Sequence, residues 1–344
     1  IISRYAGIGI SEDAFGRLYL EATDFGDMLR IIFGRNASNI YSQMQQEFIV
    51  RLRDLISAQI AGDAEAVQRQ VDQLYKLEAD TASFLGSINP YLNEAERRGM
   101  LETYLRYIID EINAFASGNY SGDIQIFDNL TELTNRMGDS FAQALYDYVT
   151  SGAQFAGDIS PQECVTYDQM NAIYEIRMLW FELALWIRAY MLSRYAGLGN
   201  TAEVLARLRQ VPVNYTNMLR QIFSRENIEI DLSLLNEYID LMVALIDAQM
   251  EGNTNEVDRL TELLYQNADA RAAFLASINP FWSEEEWRTR LYENIRNTIN
   301  EFTTFLTEDF ARNLDIFSTL LDQAEVVSQY YARGLFDYIE SAQQ

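Results

Sequence analysis

A spacing of 190 residues constrains this chain more than any other feature. Residues 2–9 (ISRYAGIG) recur at 192–199 as LSRYAGLG. Met28, Leu29, Arg30 and Phe33 recur as Met218, Leu219, Arg220 and Phe223. Ala58, Gln59 and Gly62 recur as Ala248, Gln249 and Gly252, and Ser87-Ile88-Asn89-Pro90 as Ser277-Ile278-Asn279-Pro280. Asp147-Tyr148 recurs as Asp337-Tyr338, still in register. Self-similarity at one fixed spacing, with no gap, is the mark of a repeated structural unit. It predicts a tandem duplication with one fold per copy.

The fold of each copy follows from its periodicity. Phe48, Ile49, Leu52, Leu55, Ile56 and Ile60 form an apolar stripe with the helical period. Leu101, Tyr104, Leu105, Ile108, Ile112 and Phe115 form a second, and Phe127, Leu130, Leu133, Met137, Phe141, Leu145 and Tyr148 a third. Asn93 with Glu96, Asn253 with Glu256 and Ser283 with Glu286 have capping-box spacing. Gly62 and Gly252 stand where a glycine would end a helix, and the two Asn-Pro pairs stop the helices before them. The expected helices are 38–61, 64–86, 93–117 and 122–149 in the first copy. In the second they are 168–197, near 201–209, near 214–223, 231–251, 254–277, 283–307 and 310–340. Short connections between long amphipathic helices imply antiparallel neighbours. The expected fold is therefore all-α: two tandem antiparallel up-and-down bundles of four to five long helices each. The expected domains are 1–149 and 168–344, with 150–167 as a linker.

The two copies differ at their starts. The second opens with a long helix, from about Asn171 to Tyr190, whose counterpart in the first would lie before Ile1. The first copy thus reads as lacking most of one helix. An open groove costs about 25 cal/mol for each Å² of apolar surface left in water. Three fillings are open: residues upstream of the chain as given, a retained upstream peptide, or a helix from another chain. A head-to-tail helix contact that does not close would build a filament.

Composition removes most chemistry. The chain has no histidine and one cysteine, Cys164, and Lys76 is its single lysine. Ser-His-Asp and Cys-His nucleophile systems and histidine-bearing zinc sites are excluded. No GxxxxGK[ST] loop occurs, and the GxG at Gly7 and Gly9 follows no strand and is followed by Glu12. A carboxylate pair is the only acid–base chemistry left, and nothing places one. The expectation is no enzyme, no cofactor and no metal site. The net charge of −25 opposes binding to nucleic acid or to anionic lipid. Residues 178–192 (MLWFELALWIRAYML) are too short for a membrane span and contain Glu182 and Arg188. Abundant tyrosine, asparagine and glutamine would suit an assembly surface, in an extracellular or cell-surface setting.

The stretch YQNADARAAFLASINPFWSEEEWRTRLY (265–292) resembles a family of small helical proteins of spore-forming Gram-positive bacteria. Its members are often labelled acetylglutamate kinase, although they lack a kinase phosphate loop. MLWFELALWIR (178–188) is similar to the opening helix of that family. The resemblance implies single histidines on three helices, at positions that here hold Leu183, Tyr238 and Asn294, and in the first copy Phe48 and Tyr104. A metal or proton-transfer role at those positions could not operate in this chain. The adjacent acids Glu182, Glu237 and Glu293, and Glu47 in the first copy, are retained.

Two functional readings follow. One is a non-enzymatic structural protein that packs against copies of itself, as a subunit of a surface or extracellular filament. The other is a soluble bundle that binds a small apolar ligand or a partner helix. Phe48, in the expected groove, and the large aromatics Trp180, Trp186, Phe281, Trp282 and Trp287 are the candidate interface residues. Aromatic side chains dominate interface hot spots. The alternative for Phe281, Trp282 and Trp287, with Tyr91 opposite them in the repeat, is that they plug the end of a bundle.

Overall fold

Capping chemistry sets most of the helix boundaries. A computed structural model describes residues 1–151, 167–220 and 222–342, and the described residues contain helices and turns but no strand. The chain divides into two compact units, Ile1–Pro161 and Gln162–Gln344. Most of the expected linker, including Cys164, lies outside the described residues.

The first unit contains α1 (Ile2–Tyr5), α2 (Ile10–Ala61), α3 (Ala64–Ile88), α4 (Glu94–Ala116) and α5 (Tyr120–Thr150). Asp63, Asn93 and Asn119 each accept a hydrogen bond from a backbone N–H three residues on, which starts α3, α4 and α5. Gly62 ends α2 in the left-handed conformation, at φ 69°. Successive helices pack side by side, α2 on α3, α3 on α4 and α4 on α5. Leu55, Leu74, Leu105 and Ile112 form the fully buried centre.

Sequence periodicity places no helix before residue 38, yet α2 begins at Ile10. Its first arm, residues 10–33, is apolar on more than one side, so no single stripe gives it away. Gly34, at φ 82° and ψ 173°, breaks the helix and reverses its direction. The two arms of α2 then run back along each other. Phe15 lies under the Arg53 guanidinium at 4.4 Å, and Gln46 Nε2 donates to Thr23 Oγ1 at 3.3 Å. At Gly26 a Cβ would sit 2.8 Å from the Ser38 carbonyl oxygen, so only glycine lets the arms come this close.

The second unit contains α6 (Tyr167–Ala196), α7 (Thr201–Leu208), α8 (Gln210–Leu219), α9 (Arg225–Met250), α10 (Thr254–Ile278), α11 (Glu284–Leu306) and α12 (Phe310–Ala342). Helix α9 starts at Arg225 rather than at 231 because Ser224 caps it, accepting from Asn227 N at 3.3 Å. Helix α8 covers 210–219 rather than 214–223. The long α6 packs chiefly along α12, and α7 and α8 fold back onto it.

The Asn-Pro corners do more than stop a helix. Asn89 and Asn279 are fully buried. Asn89 Nδ2 donates to the Ala144 carbonyl at 3.0 Å, and Asn279 Nδ2 to the Gly334 carbonyl at 2.9 Å. Each thereby ties the turn before α4 or α11 to the last helix of its unit. In the second unit Trp282 packs on Gly334, where any Cβ would collide with the indole. The corresponding pair in the first unit is Leu92 and Ala144, a smaller side chain facing a larger one.

Candidate interaction surface

Five of the six aromatic side chains singled out from sequence are inside the units. Phe48 is buried with its ring 6.1 Å from that of Tyr104. Trp180 and Trp186 are buried on α6, and Trp282 and Trp287 pack edge-to-face at 5.8 Å beneath Tyr331. Phe281 is exposed, as is Tyr91 at the equivalent corner. The two tryptophans of this corner therefore fill the end of their unit, and Phe281 stands outside it. An all-apolar neighbourhood cannot be told from a contact surface by composition alone, because both call for large aromatic side chains.

The exposed apolar surface lies elsewhere, on the first arm of α2. Leu18, Phe25, Met28 and Ile31 are 49%, 54%, 57% and 67% exposed. At 100° per residue these four fall on one side of the helix, next to the side that buries Ala22, Gly26 and Leu29. In the second unit the residues 190 further on are Leu208, Tyr215 and Met218. Leu208 and Tyr215 are buried there, and Met218 is partly buried. The difference is α6, on which α7 and α8 rest. Tyr215 lies beside Leu179, Trp180 and Leu183 of α6, around one small apolar void.

Helix α5 is open on the same account. In α12, Leu320, Val327, Ser328, Tyr331 and Ala332 are buried. At the matching positions of α5, Leu130, Met137 and Phe141 are only partly buried, and Gly138 and Ala142 are exposed. Contiguous exposed apolar surface of this kind marks sites of interaction.

One polar constellation sits on the path of α6. Arg188 pairs with the buried Glu301 carboxylate and donates from Nη2 to Asn313 Oδ1 at 2.8 Å. Its guanidinium lies 5.1 Å from the Phe305 ring and 4.4 Å from the Phe317 ring. Asn313 Nδ2 donates to the Glu301 carbonyl at 2.7 Å, which fixes the amide for its role as acceptor. The first unit holds Glu111, Asp123, Phe115 and Phe127 at the four matching positions. Burial pushes Glu111 up to about 7, helped by the charge of Asp123, and pushes Asp123 up to about 6. The α-amino group of Ile1 lies close enough to lower both, while its own pKa is drawn down by burial. Nearby Glu78 is buried too, and desolvation raises it to about 8.

The positions implied by the family resemblance converge in the second unit. Leu183, Tyr238 and Asn294 line one narrow void with Trp180 and Arg271. Tyr238 Oη donates to Asn294 Oδ1 at 3.0 Å, so these two side chains engage each other, while the buried Trp180 indole N–H has no hydrogen-bond partner. Two of the retained acids of this unit are engaged: Glu182 pairs with Arg207 at 3.2 Å, and Glu237 accepts from Asn267 Nδ2 at 2.8 Å. Among the described residues no three His, Cys, Asp or Glu side chains are grouped to hold a metal ion. Also among them, no helix is long and apolar enough to cross a membrane. Sequence reasoning missed the arm of residues 10–33 and the Arg188 constellation. The 190-residue spacing carried the signal for the arm, since the segments near 201–209 and 214–223 had already been read as helical.

No protein-family model matches the chain, and no curated protein or solved structure is similar enough to count as a match.

Proposed function

We propose that this protein is a non-enzymatic structural subunit that associates with copies of itself through helix packing. On this reading the chain is a tandem pair of antiparallel up-and-down bundles, descended from one unit by duplication. Its first unit is the contact-making half, and a surface or extracellular filament is the assembly it serves. The resemblance to the helical family of spore-forming bacteria fits such an origin, with the histidine positions given over to packing. The observation that carries the proposal is the open face of Leu18, Phe25, Met28 and Ile31, whose counterpart in the second unit is covered.

The test is the mass and shape of the native protein, by light scattering and negative-stain imaging. Assembly is expected, and Phe25→Asp with Met28→Asp should abolish it without unfolding the chain, because both side chains are exposed. Phe48→Asp is a poor probe, since Phe48 is buried and its loss would unfold the unit. A discrete particle near the chain mass of 39.6 kDa would sink the proposal. It would favour the second reading, an apolar ligand held beside Trp180, Leu183 and Tyr215.

A further inference from the structure

We infer that the second unit binds one water molecule in its interior, between α6, α11 and α12, where Trp180, Arg290 and Gln323 border a common cavity. The site goes beyond self-association and concerns the inside of the second unit alone.

Size selects the ligand. The cavity measures about 20 Å³, and Trp180, Leu183 and Ile187 form its α6 wall. About 10–15 Å³ is enough for one water, whereas a cavity that takes benzene measures about 150 Å³. Water is therefore the class of ligand that fits.

Polarity makes the cavity a site. Its other walls carry Arg290, Asn294, Thr298 and Glu301 of α11 and Gln323 of α12. Several of these groups already have partners. Asn294 Oδ1 accepts from Tyr238, Thr298 Oγ1 donates to the Asn294 carbonyl, and Glu301 pairs with Arg188. Three buried atoms have none: Trp180 Nε1, Arg290 Nε and Gln323 Oε1. Trp180 is 7% exposed, so bulk water does not serve its indole. Arg290 is held in place, because Nη2 pairs with Glu286 and the guanidinium lies 4.7 Å from the Tyr330 ring. The three atoms are two donors and one acceptor. One water can accept from both donors and donate to the acceptor, and a buried water typically makes about three hydrogen bonds. Left without it, each group would keep its full desolvation penalty.

The first unit shows that the fold does not demand this polarity. Met100, Ile108 and Leu133 stand there at the positions of Arg290, Thr298 and Gln323. The polar set is a property of the second unit, and an ordered water gives it a purpose: it joins α6 to α11 and α12 at a point where side chains alone do not meet.

The test is water-selective NMR on the full chain with isotope-labelled tryptophan. The chain has four tryptophans, and Trp180→Phe identifies the Trp180 indole signal. The expected result is magnetisation transfer from a long-lived water to the Trp180 indole proton. Trp282 is the control. Its buried N–H also lacks a partner, but the indole packs against Gly334, and it should show no transfer. Gln323→Leu, which matches Leu133 of the first unit, should abolish the Trp180 transfer while the rest of the spectrum stays that of the folded chain. A crystal structure of the unaltered chain gives a second reading that needs no variant. One isolated peak of density should lie within about 3.2 Å of all three atoms. An empty cavity, density larger than one water, or no transfer at Trp180 would overturn the inference. So would transfer that survives Gln323→Leu, or equal transfer to Trp282, which would mean general penetration by solvent and no defined site.

Discussion

The first unit folds its opening arm back along the rest of α2 and onto α3 and α5, whereas the second lays the matching segment across the long α6 as well. The consequence is visible residue by residue. Leu208 and Tyr215 are buried where Leu18 and Phe25 are in water. Arg188 pairs with Glu301, and at the matching places burial holds Glu111 and Asp123 above the ordinary carboxylate range. The lesson is that one helix supplies two things at once, apolar cover and a counter-charge. In the first unit Ala22 and Leu29 seal the core beneath the arm. What remains open is the outer side of that arm.

The comparison can be broken most severely at Arg188. Arg188→Ala leaves Glu301 buried with no cation and should destabilise the second unit by about 3–5 kcal/mol. Hydrogen exchange on the full chain should show protection falling in α11 and α12 and unchanged in α3 and α4. Adding Glu301→Gln should restore much of it. A loss below about 1 kcal/mol, the size of an exposed ion pair, would mean the constellation is not what fixes α6.

A second test exchanges the corner packing. Gly334→Ala drives a Cβ into Trp282 and should cost about 1–3 kcal/mol, the usual penalty of overpacking. Trp282→Leu in the same chain reproduces the Leu92 and Ala144 pair of the first unit and should recover stability. If the double variant is no better than Gly334→Ala alone, the two corners are not interchangeable solutions to one packing problem.

The two turns should respond unequally. Gly34 lies in a region of backbone conformation that is open almost only to glycine, so Gly34→Ala should cost about 1–3 kcal/mol and loosen the arm. Ser224 occupies the matching position at φ −60° and ψ 154°, where any residue fits. Ser224→Ala loses only a helix cap, worth about 1 kcal/mol. Equal losses at the two positions would contradict the reversal at Gly34.

Acid should also tell the units apart. Burial raises Glu78 to about 8, so the folded first unit holds a proton that the unfolded chain releases near the ordinary value of 4.5. The folded state then binds more protons across that window, and its stability falls as pH rises from about 4.5 to about 8. Glu111 and Asp123 act in the same direction over narrower windows, toward about 7 and about 6. Position 268 of the second unit, which matches Glu78, is alanine. Exchange protection in α3 and α4 should therefore weaken between pH 5 and pH 8, and Glu78→Gln should flatten most of that slope. A slope untouched by the substitution would place its origin elsewhere.

By itself the sequence determined the helical class, the main turns and the exclusions. Asn93, Asn253 and Ser283 cap helices as their spacing predicts, because a cap is a contact between residues three apart. Gly62 and Gly252 adopt positive φ, at 69° and 67°, for the same local reason. The absence of histidine needs no structure to remove histidine chemistry. The tertiary structure decided which large side chains are covered. Trp282, Trp287 and Phe25 look alike in sequence, and burial depends on what packs across from them, many residues away. It also decided that Arg188, Glu301 and Asn313 meet, since 113 residues separate the first two and no local rule links them. The apolar arm at residues 10–33 escaped the periodic reading because a helix wanted by partners on two sides shows no single stripe. In the second unit the matching segment has α6 as that further partner.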